Sequence, residues 1–154
     1  MIRIYRHGDH IAIAETFARA IYEIACEFYS EEQCSAWSAR APNPEHWKKR
    51  CELKRPFVFE VDGQIAAFLE LDPDGHIDCA YTHPDFARRG IMSQLVEHAL
   101  KTAFACNVPR IYVEASFCIK PLFDKLGFAT IRENIVDIQS VKLKNYLMEL
   151  SKER

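Results

Sequence analysis

The chain has 154 residues, 49% of them hydrophobic and 27% charged, which fits a single domain over 1–154 that buries about 70% of the surface its unfolded form exposes. With 20 basic and 22 acidic residues the net charge is -2, so no bulk field drives it onto nucleic acid or an anionic membrane. Apolar residues are too plentiful and evenly spread for disorder, and charges interrupt every apolar stretch before the ~18 residues a spanning helix needs.

The N-terminus, MIRIYRHGDH, lacks the long apolar core of a signal peptide, so a cytoplasmic location is expected. Cys26, Cys34, Cys51, Cys79, Cys106 and Cys118 form no C-x-x-C pair and are expected as reduced thiols. His7 and His10 lie three apart without a second close pair, so no metal site is expected.

In chain order, Ile2 to Tyr5 reads as an opening strand, with Asp9 a candidate helix cap. Ile13, Phe17, Ile21, Ile24 and Phe28 form the apolar stripe of a helix over Ile11–Tyr29, with Glu15, Arg19, Glu23 and Glu27 on its polar face. Ser30 starts a second helix through Cys34, Trp37 and Ala39, which Ala41-Pro42-Asn43-Pro44 breaks. Glu45 to Leu53 is a third, carrying Trp47, Lys48, Lys49 and Arg50. Phe57–Val61 and Gln64–Leu71 are strands joined by Asp62-Gly63, a two-residue hairpin turn. After Asp72-Pro73-Asp74-Gly75, His76–Thr82 completes a meander. A helix over Arg88–Ala105 follows, with Ile91, Leu95, Ala99 and Phe104 along one side. Ile111–Ala115 is a strand, Pro121–Leu126 a short helix ended by Gly127, and Phe128–Ile138 and Leu143–Leu150 are two β-rich stretches. This order is α+β with mixed strand directions.

The segment with the most chemistry runs from Thr82 to Leu95: a strand ends, a basic loop with Arg88, Arg89 and Gly90 follows, and a helix begins. Free backbone N–H groups and the positive end of the helix dipole suit a phosphate there. Gly90 lets a ligand approach the backbone closely. Taken alone, the same pattern also fits an ordinary capped helix with solvated arginines.

This stretch resembles the acetyl-coenzyme-A-binding motif of the GNAT superfamily of N-acetyltransferases, Arg/Gln-x-x-Gly-x-Gly/Ala at a helix start. Glu114 to Phe128, ending in Gly-Phe, resembles the second motif of that family. Asn145-Tyr146-Leu147-Met148-Glu149 is similar to the tail of its YafP-like bacterial branch. The resemblance implies a GNAT-like mixed central sheet of about seven strands, flanked by helices, with the splayed strands His76–Thr82 and Ile111–Ala115 forming a cofactor cleft. It implies acetyl transfer from acetyl-coenzyme A, as cosubstrate, to a small-molecule or peptide primary amine by direct attack in a ternary complex. A homodimer is left open.

By the same resemblance the backbone of Ala80, Tyr81 and Thr82 holds the pantetheine arm, and the N–H groups of Arg88, Arg89, Gly90, Ile91, Met92 and Ser93 hold the pyrophosphate. Ser116 falls where many members place a cofactor-contacting asparagine. Aligned on Gly90, Ala87 replaces the family's Arg or Gln and Met92 its Gly or Ala. His76 falls where histone-acetylating members carry a glutamate base. Asp78, on the same strand face, and Glu114, on the adjacent strand, are the other base candidates. Phe123 stands where many members carry a tyrosine acid, so the thiolate is expected to leave without strong acid help, with Tyr81 or Tyr146 the alternatives. Covalent catalysis through Cys79 or Cys118 lacks a paired histidine. Tyr29, Trp37 and Trp47 are candidates for the acceptor wall, although aromatics at such spacing also build cores. Ala87, Met92 and Phe123 also keep a rival in view: a noncatalytic acyl-coenzyme-A-binding or protein-interaction module on the same scaffold.

Overall fold

The structure, a computed structural model, describes residues 1–40 and 43–152. Strands β1 (Ile2–Ile4), β2 (Phe57–Val61), β3 (Gln64–Leu71), β4 (His76–Thr82), β5 (Arg110–Ala115), β6 (Ala129–Ile138) and β7 (Val141–Ser151) form one sheet in the order β1-β2-β3-β4-β5-β7-β6. Every neighbouring pair is antiparallel except β4–β5, which is parallel. Helices α1 (His10–Glu23), α2 (Glu31–Ser38), α3 (Pro44–Lys54), α4 (Ile91–Ala105) and α5 (Lys120–Lys125) flank it. The expected mixed sheet of about seven strands is therefore the observed architecture.

β3 is buried along six consecutive residues because both of its faces are covered. Ala67 and Leu69 pack with Leu95, Val96 and Ala99 of α4, and Phe68 packs on the opposite face with Phe17 of α1 and Trp47 of α3. The Asp62-Gly63 turn has positive φ at both residues, 50° and 77°, as its hairpin requires.

Three expected helix ends differ. Asp9 precedes α1, but its side chain does not cap the helix; its carboxylate accepts from Arg3 at 2.7 and 3.1 Å and from the Arg6 N–H at 2.7 Å, tying β1 to the helix entry. α1 stops at Glu23, and a 3₁₀ turn at Ala25–Glu27 re-phases the chain. Ala25 and Tyr29 then turn inward, while Phe28 stays half exposed. α4 starts at Ile91, three residues later than expected, because Arg88 and Gly90 adopt φ of 63° and 72° and left-handed residues cannot continue an α-helix.

Ser30 and Gln33 form a reciprocal capping box on α2, and Asn43 caps α3 with Pro44 in its first turn. The remainder of the expected break, Ala41 and Pro42, lies outside the described residues. All six cysteines are free, and no helix of the described residues is long and apolar enough to cross a membrane.

Candidate active site

The cleft comes from a strand pair that starts and then parts. β4 and β5 are in register only at His76–Tyr112 and Ile77–Val113. Gly75 closes this end: its carbonyl accepts the Tyr112 N–H at 3.0 Å, and a Cβ on it would lie 2.1 Å from the Arg110 carbonyl oxygen, so only glycine lets the turn lie this close. Beyond Ile77 the strands splay, while β5 stays paired with β7 as far as Ala115–Tyr146.

Strand alternation fixes which backbone groups face the gap. The His83 N–H donates to Ala66 of β3, so Tyr81, opposite Phe68, also directs its backbone polar groups toward β3. Ala80 and Thr82 direct theirs to the open side. Of the three residues expected to hold a pantetheine arm, Tyr81 therefore turns its backbone polar groups away from the gap.

A cavity of about 590 Å³ occupies this gap. It is bounded by Ala80, Tyr81 and Thr82, by Arg88, Gly90, Ile91, Met92 and Ser93 at the start of α4, and by Ser116. The N–H groups of Arg88, Arg89 and Gly90 have no hydrogen-bond partner among the described residues, and the first-turn N–H groups of α4 have none within the helix. A Cβ on Gly90 would meet nothing within 4 Å, so the cradle in front of these donors is open. The side chains of Met92 and Ile91 are buried in the core cluster beneath α4. Arg89 does not line it, its guanidinium lying 5.3 Å from the Phe86 ring centre.

A second cavity of about 330 Å³ adjoins the first and shares Trp37, Tyr81 and Ser116 with it. His76, Asp78 and Glu114 all border it, so the three base candidates are brought together. His76 Nε2 lies 2.5 Å from Glu114 Oε2, and its Nδ1 faces Asp72 Oδ2 at 3.5 Å. The Glu114 hydrogen bond raises the imidazole pKa above its ordinary value, and the same bond holds the Glu114 carboxyl below the usual range. Burial pushes the Asp78 carboxyl up, but Lys54 and Arg50, each at 2.9 Å, outweigh this and hold it low. Asp78 is thus committed to cations and is a weak base.

Two of the three aromatics proposed from sequence border the second cavity. Tyr29 donates to the Lys144 carbonyl at 2.6 Å and stacks on Phe117. Trp37 Nε1 donates to the Tyr81 hydroxyl at 3.0 Å. Both border the second cavity. Trp47 does not: it is 1% exposed, enclosed by Phe17 and Phe68, and belongs to the core. Phe123 is also fully buried, against Phe128, and borders neither cavity.

The sequence reading missed a row of charges behind His76. Glu70 is fully buried and takes a bidentate pair from Arg50 at 2.8 and 2.7 Å. Lys54 bridges Asp72 Oδ1 at 2.7 Å and Asp78 Oδ2 at 2.9 Å. Two signals were available: Arg50 and Lys54 are one helical turn apart, and Glu70 is an acid directly after the apolar run Ile65–Leu69. Asp72, His76 and Asp78 bring potential metal-ligand atoms within 4.8 Å of one another, but the Lys54 ammonium already bonds both carboxylates.

Comparison with known proteins agrees with this architecture. Residues 26–150 match the family described as the acetyltransferase (GNAT) domain, and the chain belongs to that family of N-acetyltransferases. It is 28% identical over 147 residues to YafP of Escherichia coli strain K12, described as an uncharacterised N-acetyltransferase, covering 96% of this chain and 93% of that one. A GCN5-related N-acetyltransferase from Rhodopseudomonas palustris superposes with a TM-score of 0.93 at 28% identity, covering 99% of this chain and 95% of the other. The PaiA N-acetyltransferase of Thermoplasma acidophilum, solved with coenzyme A, shares the fold with a TM-score of 0.77 at 17% identity, covering 99% and 98%.

Proposed function

We propose that the protein transfers the acetyl group of acetyl-coenzyme A directly to a primary amine, with both substrates bound at once. The observation that carries this reading is the meeting of two cavities at Tyr81 and Ser116, one edged by unbonded N–H groups and the other ending on the His76–Glu114 pair. The Thermoplasma neighbour holding coenzyme A supports a coenzyme A ligand.

The residues fit that ligand. The open cradle at Gly90, with the N–H groups of Arg88 to Ser93, would hold the pyrophosphate. The free backbone edge at Ala80 and Thr82 would pair with the pantetheine arm, and an N–H on that edge would stabilise charge growing on the thioester carbonyl. Acetyl-coenzyme A supplies an acetyl group activated as a thioester. A thiol with a pKa near 8.5 needs no strong acid to depart.

An amine arrives mostly as ammonium and attacks only when neutral. In the neutral His76 ring that carries its proton on Nδ1, the Nε2 lone pair can take the ammonium proton. Glu114 Oε2, 2.5 Å from Nε2, then accepts the hydrogen bond from the Nε2–H so formed. The thiols are poor competitors as nucleophiles, because burial raises the pKa of both Cys79 and Cys118.

The test is steady-state kinetics with acetyl-coenzyme A and a panel of primary amines. Intersecting initial-rate lines and an N-acetylated product are expected. Parallel lines would point to an acyl-enzyme. Tight cofactor binding with no product from any amine would favour the noncatalytic module instead.

A further inference from the structure

We propose that Lys54 is a positioning residue, a built-in cation that acts through Asp72 and Asp78 to keep His76 able to accept a proton at neutral pH. The proposal rests on the reading of His76 as the base.

The argument is one of charge and reach. Three carboxylates surround the imidazole: Asp72 from the turn before β4, Asp78 from β4 itself, and Glu114 from β5. Asp74 accepts from the His76 backbone N–H at 3.1 Å and from the Tyr112 hydroxyl at 2.6 Å. Tyr112 of β5 stacks on the His76 ring, and Arg110, paired with Glu149 of β7, lies over Tyr112. Arg40, just past α2, and Lys144 of β7 border the same cavity, and Lys144 is paired with Glu133 at 3.2 Å. Arg50 of α3 reaches Asp78, but its charge is already matched by the fully buried Glu70. Lys54 is the α3 cation left to balance Asp72 and Asp78.

Its geometry matches that task. Nζ binds Oδ1 of Asp72 and leaves Oδ2 toward His76 Nδ1. The same ammonium binds Asp78 Oδ2. Lys54 therefore fixes the direction of the Asp72 carboxylate beside the ring, and it offsets negative charge that would otherwise hold the ring as imidazolium. A base that stays protonated cannot accept the proton of the amine. Lys54 remains charged throughout, because its bonds to Asp72 and Asp78 outweigh the opposing effect of burial.

The experiment titrates the histidine imidazoles by NMR in the wild type, Lys54→Met, Lys54→Arg and Asp72→Asn, using His76→Gln to assign the His76 signal. The acidic limb of kcat/KM is recorded for the same proteins. In Lys54→Met the His76 midpoint should rise by about one pH unit, the size expected when a neighbouring like charge is lost. The acidic limb should rise with it, and the rates should converge with wild type at high pH. Lys54→Arg should restore most of the wild-type profile. Asp72→Asn, an independent variant, should move the midpoint down. A midpoint that stays put in both Lys54→Met and Asp72→Asn overturns the proposal, as does a Lys54→Met rate loss of equal proportion at every pH. Wild-type kcat/KM in His76→Gln would overturn the base assignment instead, with the imidazole midpoints still deciding whether Lys54 controls the ring.

Discussion

His76 and Glu114 stand on adjacent parallel strands just where those strands begin to part, and their side chains meet at 2.5 Å across the start of the gap. The pairing follows from register. His76 is opposite Tyr112, and Glu114, two residues further along β5, shares the Tyr112 face. The contact therefore belongs to the closed end of the V, where Gly75 holds β4 against β5.

That placement gives a pH dependence of stability with a definite sign. The folded-state pKa of His76 is raised above 6.5, so its contribution is fully present below 6.5 and fades as pH rises through the raised value. The folded-state pKa of Glu114 is lowered below 4.5, so its contribution is present above 4.5 and fades as pH falls through the lowered value. The pair should stabilise most between these two ordinary values. A double-mutant cycle of His76→Gln and Glu114→Gln, read by urea unfolding, should give its largest coupling near pH 5.5, roughly midway in that window. A coupling that is flat from pH 4 to 9 would show that the contact contributes no ion pair.

Gly90→Asp should leave the fold intact and abolish cofactor binding. An added Cβ meets nothing within 4 Å, and Asp tolerates the left-handed backbone at this position better than most residues do. It would nevertheless place a carboxylate in front of the N–H groups proposed to hold a pyrophosphate. Acetyl-coenzyme A at a hundred times its dissociation constant should stabilise the wild type by about 2.7 kcal/mol. A thermal-shift titration should show this for wild type and no shift for the variant. Equal shifts would place the cofactor elsewhere.

Phe123→Tyr is a test in which the structure reverses the expectation from the family motif. The motif makes the position an acid facing the thioester, so a restored hydroxyl could raise turnover. The side chain is instead fully buried against Phe128, and a hydroxyl without a partner there should lower stability by about 1–3 kcal/mol with no gain in rate. Trp47→Ala separates core from site in the same way. It should lose about 3–5 kcal/mol of stability and leave the ranking of amine substrates unchanged in a kcat/KM panel.

The order of elements was legible because periodicity and turn residues act locally. The Asp62-Gly63 hairpin, the helix start at Ser30 and the continuous apolar run of β3 need only neighbours in sequence. The start of α4 was not legible, because the left-handed turn at Arg88 and Gly90 leaves no periodic signature. At the site, alternation and motif spacing were enough to gather His76, Asp78 and Glu114. They could not rank them, since rank depends on partners from distant segments: Arg50 and Lys54 arrive from α3 and neutralise Asp78. Trp47, a candidate for the acceptor wall, went to the core for a related reason. An aromatic at helical spacing has one face toward the core, and which face that is depends on how the helix is rolled against the sheet.

Removing the base should produce a loss that pH can repair. His76→Ala takes away the Nε2 that we propose receives the ammonium proton, and a general base of this kind contributes 10²–10⁴-fold, or roughly 3–5 kcal/mol of barrier. At pH 7 the variant should therefore lose about that factor in kcat/KM. As pH rises the free amine becomes the dominant form without help, and the deficit should shrink toward pH 10. Asp78→Asn should behave differently, because its carboxylate is bound by Lys54 and Arg50 and its pKa is held low. It should shift the pH profile more than the limiting rate. Cofactor affinity should stay near wild type in both variants, since neither residue borders the larger cavity. If His76→Ala keeps wild-type kcat/KM at pH 7 while Glu114→Gln loses it, the proton acceptor is the Glu114 carboxylate and His76 only orients it.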